Sequence, residues 1–179
     1  IRYPSTEVGP VSITEGTKYS EVAINFSFLI RPGGQIQNDD YLIAFVDDNT
    51  NYSNRKTLGI KPTNGGFGVF SSTLDLYLKV NGLGLSVAAT TSSTLEIGKW
   101  YNCAIHYSHN DGATPHPLTT ATVYINGKQE CTATVINTSG YNQVQRFEFG
   151  NIGYTGAAVV DPGTWIDSIT VWDAPSTDP

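Results

Sequence analysis

At residues 119–135 the chain reads TTATVYINGKQECTATV. Its first half alternates the apolar residues Ala121, Val123 and Ile125 with threonine and tyrosine, which is the period of a β-strand that buries one face. The dipeptide Asn126-Gly127 follows and is typical of tight turns between antiparallel strands. Alternation resumes beyond the turn. The stretch therefore predicts a β-hairpin.

The same residues predict the register of this hairpin. A two-residue turn at Asn126-Gly127 places Val123 opposite Glu130 and mixes apolar and polar side chains on one face. A three-residue loop that includes Ile125, with Gly127 in the left-handed region, shifts the pairing by one residue. The apolar residues that this shift places on one face are Ala121, Val123, Cys131, Ala133 and Val135. We therefore predict the three-residue loop.

Similar alternation predicts strands along the rest of the chain. From residue 100 onward they are 100–108, 119–125, 129–135, 146–149 and 166–172, and we expect these to form an antiparallel meander. Upstream, the predicted strands are 21–31, 41–46, 57–61, 66–71, 74–80, 85–90 and 95–97, with 57–61 and 66–71 forming a hairpin. Short strands with turn signals every ~8–12 residues are typical of an all-β sandwich.

Composition agrees with one all-β domain. Of the 179 residues, 39% are hydrophobic and only 15% are charged, and 18 are glycine. This balance suits many short strands joined by turns better than it suits helices. We predict a single domain over residues 1–173, followed by a linker-like tail at 174–179 that leads to further domains of a larger chain.

Charge narrows the classes of partner. The net charge is −6 and the isoelectric point is near 4.8, which gives no basic surface for nucleic acid or for anionic lipids. No apolar run approaches the ~18 residues of a membrane span. The sequence therefore predicts no nucleic-acid partner and no membrane insertion.

The strand sequences resemble a known group of domains. Trp100 opens one strand, Tyr124-Ile125-Asn126-Gly127 forms an aromatic hairpin, Phe149-Gly-Asn-Ile-Gly follows, and Ile166-Asp-Ser-Ile-Thr-Val-Trp-Asp closes the chain. This order resembles the laminin-G-like, concanavalin-A-like jelly-roll domains. The resemblance implies a two-sheet antiparallel jelly-roll β-sandwich with adjacent N- and C-terminal strands. Many domains of this fold bind glycans, so it also implies an extracellular or cell-surface protein.

Candidate ligand residues are aromatic and amide side chains. Sugars need a flat aromatic face together with side chains that hydrogen-bond hydroxyl groups. Residues of both types that fall in predicted loops are Tyr141, Asn142, Gln143, Tyr154 and Trp165. On the outward parity of predicted strands lie Tyr77, His106, Tyr124 and Trp172. We predict that the loop residues bind an oligo- or polysaccharide; the alternative is that these aromatics cover sheet edges or pack under loops.

Calcium is the one cofactor that the sequence suggests. Asp47, Asp48 and Asn49 place hard oxygen donors in one loop, and such donors suit Ca²⁺. The spacing is not that of an EF-hand, and solvated turn residues are the alternative. Asp167 shares the parity of Ile169 and Val171, so we expect it to point inward and to bond backbone N–H groups or a structural cation.

The two cysteines are predicted to be unbridged. Cys103 and Cys131 lie on strands that flank residues 119–125, which separates them by two strand spacings, ~9.5 Å. A disulfide needs Cα atoms within ~7 Å. The meander therefore favours two buried thiols, and a bridge requires a different strand order.

The sequence gives little support for catalysis. His106, His109 and His116 lack metal-ligand spacing, and there is neither a Gly-x-Ser-x-Gly elbow nor a Glu-x-Asp-x-x-Glu strand. The sequence thus favours a non-catalytic, lectin-like module. The alternatives are a structural or adhesion spacer and a polysaccharide-cleaving enzyme, a lyase or hydrolase, on the same fold.

Overall fold

The computed structural model describes residues 11–30, 40–46, 56–62, 73–82, 85–110, 118–136, 144–149 and 164–172. These residues form twelve β-strands: β1 Val11–Tyr19, β2 Glu21–Ile30, β3 Asp40–Val46, β4 Lys56–Pro62, β5 Thr73–Gly82, β6 Leu85–Thr90, β7 Leu95–Glu96, β8 Trp100–Asn110, β9 Leu118–Ile125, β10 Lys128–Ile136, β11 Val144–Phe149 and β12 Thr164–Trp172. Within the same ranges there is no helix that could cross a membrane.

The strands form two antiparallel sheets. The five-stranded sheet has the order β10-β9-β8-β2-β12. The seven-stranded sheet has the order β1-β11-β3-β4-β5-β6, with β7 also paired to β5. The predicted all-β, two-sheet jelly-roll sandwich is confirmed.

The core lies between the sheets because alternate residues of each strand point inward. On β2 the inward residues are Val22, Ile24, Phe26, Phe28 and Ile30, all at most 2% exposed. Phe26 meets Phe149 of the other sheet edge to face, with ring centroids 5.5 Å apart. Burying such a side chain stabilises the fold by ~1.5–3 kcal/mol. Since β2 lies between β8 and β12, this strand fixes the five-stranded sheet against the core.

The hairpin register is as predicted, but the loop is not. Ile125 pairs with Lys128 around a two-residue turn, in which Asn126 and Gly127 have φ of 50° and 79°. Such positive φ values match the twist of the flanking strands. A bulge between Gln129 and Cys131, and not a three-residue loop, supplies the predicted one-residue shift.

The predicted meander holds only for β8, β9 and β10. β11 pairs with β1 and β3 in the other sheet, and β12 returns to pair with β2. The connections at 137–143 and 150–163 are longer than hairpin loops, so their strands need not be neighbours. The N-terminal strand β1 and the C-terminal strand β12 are therefore in different sheets, contrary to the expected adjacency.

A second pairing prediction was also wrong. Strand β4, which covers the predicted strand 57–61, pairs on one side with β3 and on the other with β5. Both of its edges are occupied, so it cannot form a hairpin with residues 66–71, which lie outside the described residues. Strand β1 was not predicted at all.

Cys103 and Cys131 are buried free thiols on β8 and β10, with β9 between them. This agrees with the expected separation. Burial raises the pKa of both thiols, and that of Cys131 reaches about 11. Both thiols therefore remain protonated and poorly nucleophilic near neutral pH.

Candidate functional site

The candidate site is the surface of the five-stranded sheet that points away from the core, here called the outer face. Its residues alternate with the buried ones along each strand. They are Glu21, Ala23, Asn25, Ser27 and Leu29 of β2; Trp100, Asn102, Ala104, His106, Ser108 and Asn110 of β8; Leu118, Thr120, Thr122 and Tyr124 of β9; Gln129, Thr132, Thr134 and Ile136 of β10; and Trp165, Asp167, Thr170 and Trp172 of β12.

Two tryptophans lie at one end of the outer face. Leu29 pairs with Trp100 on one side and with Trp165 on the other, so the three side chains form a line across β8, β2 and β12. We call this line the tryptophan row. Trp100 is 48% exposed and Trp165 is 40% exposed, whereas Leu29 is partly buried between them. Large apolar surface exposed in this way on a sheet face often marks an interaction site.

A polar row lies next to the tryptophan row. Ser27 pairs with Asn102 and with Asp167, and the Ser27 hydroxyl donates a 2.8 Å hydrogen bond to Oδ1 of Asn102. Two further bonds fix the backbone of Asn102 to the hairpin turn. Its N–H donates to Oδ1 of Asn126 at 3.0 Å, and its carbonyl accepts from the N–H of Asn126 at 2.8 Å. The amide of Asn102 is thus held beside Trp100.

Asp167 lies in this polar row and is exposed, so the expectation that it points inward was wrong. The cause is a bulge in β12. Ile166 pairs with Phe28 and Val171 pairs with Ile24, and an irregularity between Asp167 and Thr170 allows both to face inward. Ser168 adopts a φ of 56° there, and its N–H donates to Oδ1 of Asp167 at 2.8 Å. The bulge reverses the side-chain parity that strict alternation assigns to Asp167.

A histidine and a tyrosine occupy the middle of the outer face. His106 Nε2 lies 3.1 Å from Oε1 of Glu21, and the two side chains are 32% and 44% exposed. His106 pairs with Thr122, so Tyr124 is its diagonal neighbour on β9. Diagonal neighbours lie ~7–8 Å apart, within reach of long side chains. Imidazole and phenol groups can both accept or donate protons, so this pair has the chemistry of a general acid and base.

The charge of the outer face is predominantly negative. Glu21 and Asp167 contribute carboxylates, and the face residues of the five strands include no lysine or arginine. Lys99, which precedes Trp100, instead bonds Glu96 at 2.8 Å. Polyanionic ligands would therefore meet two carboxylates and no fixed positive charge among these residues.

Trp165 is the only predicted ligand residue that lies within the described residues. It belongs to β12, so the prediction that it lies in a loop is wrong. The other predicted ligand residues, Tyr141, Asn142, Gln143 and Tyr154, and the predicted calcium ligands, Asp47, Asp48 and Asn49, lie outside the described residues. Within them, no cluster of three or more His, Cys, Asp or Glu side chains could hold a metal ion. The calcium site remains a prediction.

The outward parity predicted for His106, Tyr124 and Trp172 is confirmed by their pairing with Thr122, Ala104 and Ala23. The prediction missed Trp100 and Asn102 as site residues. The alternation in β8 could have identified them. Cys103, Ile105 and Tyr107 are apolar and point inward, so the even-numbered residues of this strand, including Trp100 and Asn102, lie on the outer face. The resemblance to jelly-roll domains uses Trp100 only as the first residue of a strand.

No family model and no curated protein matches the sequence. The architecture is nevertheless that of a concanavalin-A-like jelly roll. A variant of the alginate lyase Aly36B in complex with an alginate trisaccharide has a TM-score of 0.59 at 10% identity, over 90% of this chain and 73% of that one.

Two further structures share the fold. An endo-β-1,4-glucuronan lyase from the fungus Trichoderma reesei has a TM-score of 0.58 at 17% identity, over 95% of this chain and 74% of that one. A heptameric SAP-like pentraxin from Limulus polyphemus has a TM-score of 0.58 at 16% identity, over 98% and 76%. At these identities the likeness shows the fold alone.

Proposed function

We propose that this protein is a carbohydrate-binding module of a secreted or cell-surface protein and that it takes a polysaccharide on the outer face. The observation that carries the proposal is the pair of exposed tryptophans beside a row of polar side chains. Tryptophan rings offer flat apolar surface to the C–H face of a pyranose, and amide and hydroxyl groups bond its hydroxyls. The named activities of two of the similar structures support a polysaccharide as the ligand class.

The predicted loop residues are part of this proposal. Tyr141, Asn142, Gln143 and Tyr154 would add aromatic and amide groups to the binding surface. A shallow surface of this kind orders side chains and displaces water when it binds, which commonly leaves ~4–8 kcal/mol of binding free energy. We expect dissociation constants between millimolar and micromolar.

Polysaccharide cleavage is the second candidate function. It is favoured by the position of His106, bonded to Glu21 and diagonal to Tyr124 on the same face. In an eliminative cleavage, one group removes the proton next to a uronate carboxyl group and another protonates the departing glycosidic oxygen. His106 and Tyr124 could fill these two roles. Both similar lyases are named for polyuronates, however, and the outer face has no lysine or arginine among its described residues to neutralise such a substrate.

One experiment separates the two functions. The purified protein is run on native gels that contain individual polysaccharides, and the same polysaccharides are incubated with it and tested for unsaturated ends by ultraviolet absorbance and for shortening by size analysis. Retardation without shortening supports the binding module. Shortening that disappears in His106→Ala and Tyr124→Phe supports the enzyme. Neither retardation nor shortening with any polysaccharide would refute the proposed function and leave a structural spacer.

A further inference from the structure

We propose that the ligand of the outer face is a linear, uncharged polysaccharide that crosses strands β8, β2 and β12 along the tryptophan row, with one sugar face on Trp100 and another on Trp165. This inference rests on the proposed function and specifies its ligand class and binding direction.

The direction follows from the register. Trp100, Leu29 and Trp165 are directly opposite one another on adjacent strands, so the row is perpendicular to the strands. Its two tryptophans are separated by two strand spacings, ~9.5 Å. This is about the length of a disaccharide unit in an extended chain, so alternate sugars can stack on successive tryptophans. Leu29, partly buried between them, leaves room for the intervening sugar.

The neighbouring polar row favours the same direction. Asn102, Ser27 and Asp167 lie two residues further along the three strands, ~6.8 Å from the tryptophan row. A pyranose that lies flat on a tryptophan presents its equatorial hydroxyl groups sideways. A chain that follows the tryptophan row therefore directs one edge at the polar row along its whole length. A chain parallel to β8 would meet Trp100 alone. A chain parallel to β12 would meet Trp165 and the half-buried Trp172, which is opposite Ala23 and ~20 Å away, but it would cross the polar row only once.

Charge excludes polyanions as the preferred ligand. Asp167 lies in the polar row and is exposed, so a uronate bound there would face a carboxylate. No lysine or arginine of the described outer face compensates for it, and Lys99 is paired with Glu96. A neutral glycan meets no such repulsion, and its hydroxyls can donate hydrogen bonds to Asp167.

The test compares ligands and variants in the same affinity gels. The neutral probes are hydroxyethylcellulose, xylan and glucomannan, and the anionic probes are alginate and polyglucuronate. The variants are Trp100→Ala, Trp165→Ala and the double variant, each with a thermal unfolding curve. The matched control is Ile136→Ala, which removes an apolar side chain that is 44% exposed on the same outer face, but at the end opposite the tryptophan row and outside both rows.

We expect at least one neutral polysaccharide to retard the native protein and neither polyanion to do so. Each single tryptophan variant should raise the dissociation constant obtained from the gels about tenfold, because it loses one stacking contact. The double variant should abolish it, and Ile136→Ala should bind normally. Asp167→Asn should improve binding of the polyanions if its charge excludes them.

Three other results would overturn part or all of the proposal. Retention of alginate or polyglucuronate without any neutral glycan overturns the ligand class while the proposed function stands. Retention of a neutral glycan that survives the double tryptophan substitution overturns the binding direction alone. A dimer in light scattering that dissociates in the tryptophan variants, with no glycan retained, identifies the row as a contact between two copies and refutes both proposals.

Discussion

Replacing Glu130 by glutamine should destabilise the fold in a way that depends on pH. Glu130 lies at the β10 bulge, and only 2% of its side chain is exposed. Its carboxylate accepts hydrogen bonds from the Ser92 hydroxyl at 2.6 Å, from the Ser93 N–H and hydroxyl at 2.8 Å each, and from Lys128 Nζ at 3.0 Å. Ser92 and Ser93 follow β6 of the other sheet, so this carboxylate ties the two sheets together at one edge.

The size of the effect follows from the pKa of Glu130. Burial alone would raise the pKa of this carboxyl group. Hydrogen bonds from Ser92, Lys128 and Ser93 outweigh burial and lower the pKa from 4.5 to about 2. A lowering of that size corresponds to about 3 kcal/mol of stability. The Lys128 side chain is 65% exposed and the cluster lies near solvent, so screening reduces this figure. We therefore expect Glu130→Gln to lower the unfolding free energy at pH 7 by about 1–2 kcal/mol.

The sign of the pH dependence is fixed by the direction of the shift. Because the pKa in the folded state is lower than in the unfolded state, the contribution is fully present above pH 4.5. It is lost as the pH falls from there towards about 2. Glu130→Gln has no charge to lose, so its stability lacks this component at every pH.

Urea unfolding of the native protein and Glu130→Gln, monitored by tryptophan fluorescence from pH 7 down to pH 3, tests the reasoning. The difference in unfolding free energy should be largest at pH 7 and should shrink as the solution is acidified. The control is Glu96→Gln, which removes a carboxylate that is 58% exposed and bonded to Lys99, and which should cost little at any pH. A difference for Glu130→Gln that stays constant across this range would refute the assigned pKa.

Three further predictions concern the turn, the β12 bulge and the calcium loop. Gly127→Ala should lower the unfolding free energy measured in urea by about 1 kcal/mol. A Cβ would have open space there, but the φ of +79° is unfavourable for alanine. An unchanged unfolding midpoint would contradict this backbone conformation. Asp167→Ala should lower the unfolding free energy by no more than about 1 kcal/mol, because the exposed carboxylate makes one hydrogen bond, to the Ser168 N–H. A loss of about 3 kcal/mol would instead indicate that Asp167 is buried. Millimolar calcium should raise the melting temperature if the predicted site exists, and joint replacement of Asp47 and Asp48 by asparagine should abolish the rise; no shift in the native protein would remove the site.

Periodicity was sufficient to predict most of the strands and the two-layer class, because inward and outward residues alternate regularly on β2, β8 and β9. It was not sufficient for the pairing of β11 and β12. Hairpin pairing is encoded by a local turn such as Asn126-Gly127, whereas strands joined by longer connections choose partners through contacts distant in sequence. The Phe26 and Phe149 contact, which draws β11 towards the core from the opposite sheet, is one of these.

Bulges account for the errors within strands, and one of them creates the candidate site. Val171 faces the core, so strict alternation back along β12 would turn both Asp167 and Trp165 inward. The bulge at Ser168 reverses that parity and brings Ile166 into the core instead. As a result Trp165 emerges on the outer face opposite Leu29 and in line with Trp100, and Asp167 joins the polar row beside them. No periodic pattern could have predicted the tryptophan row, because it depends on one residue held at a positive φ in an otherwise regular strand.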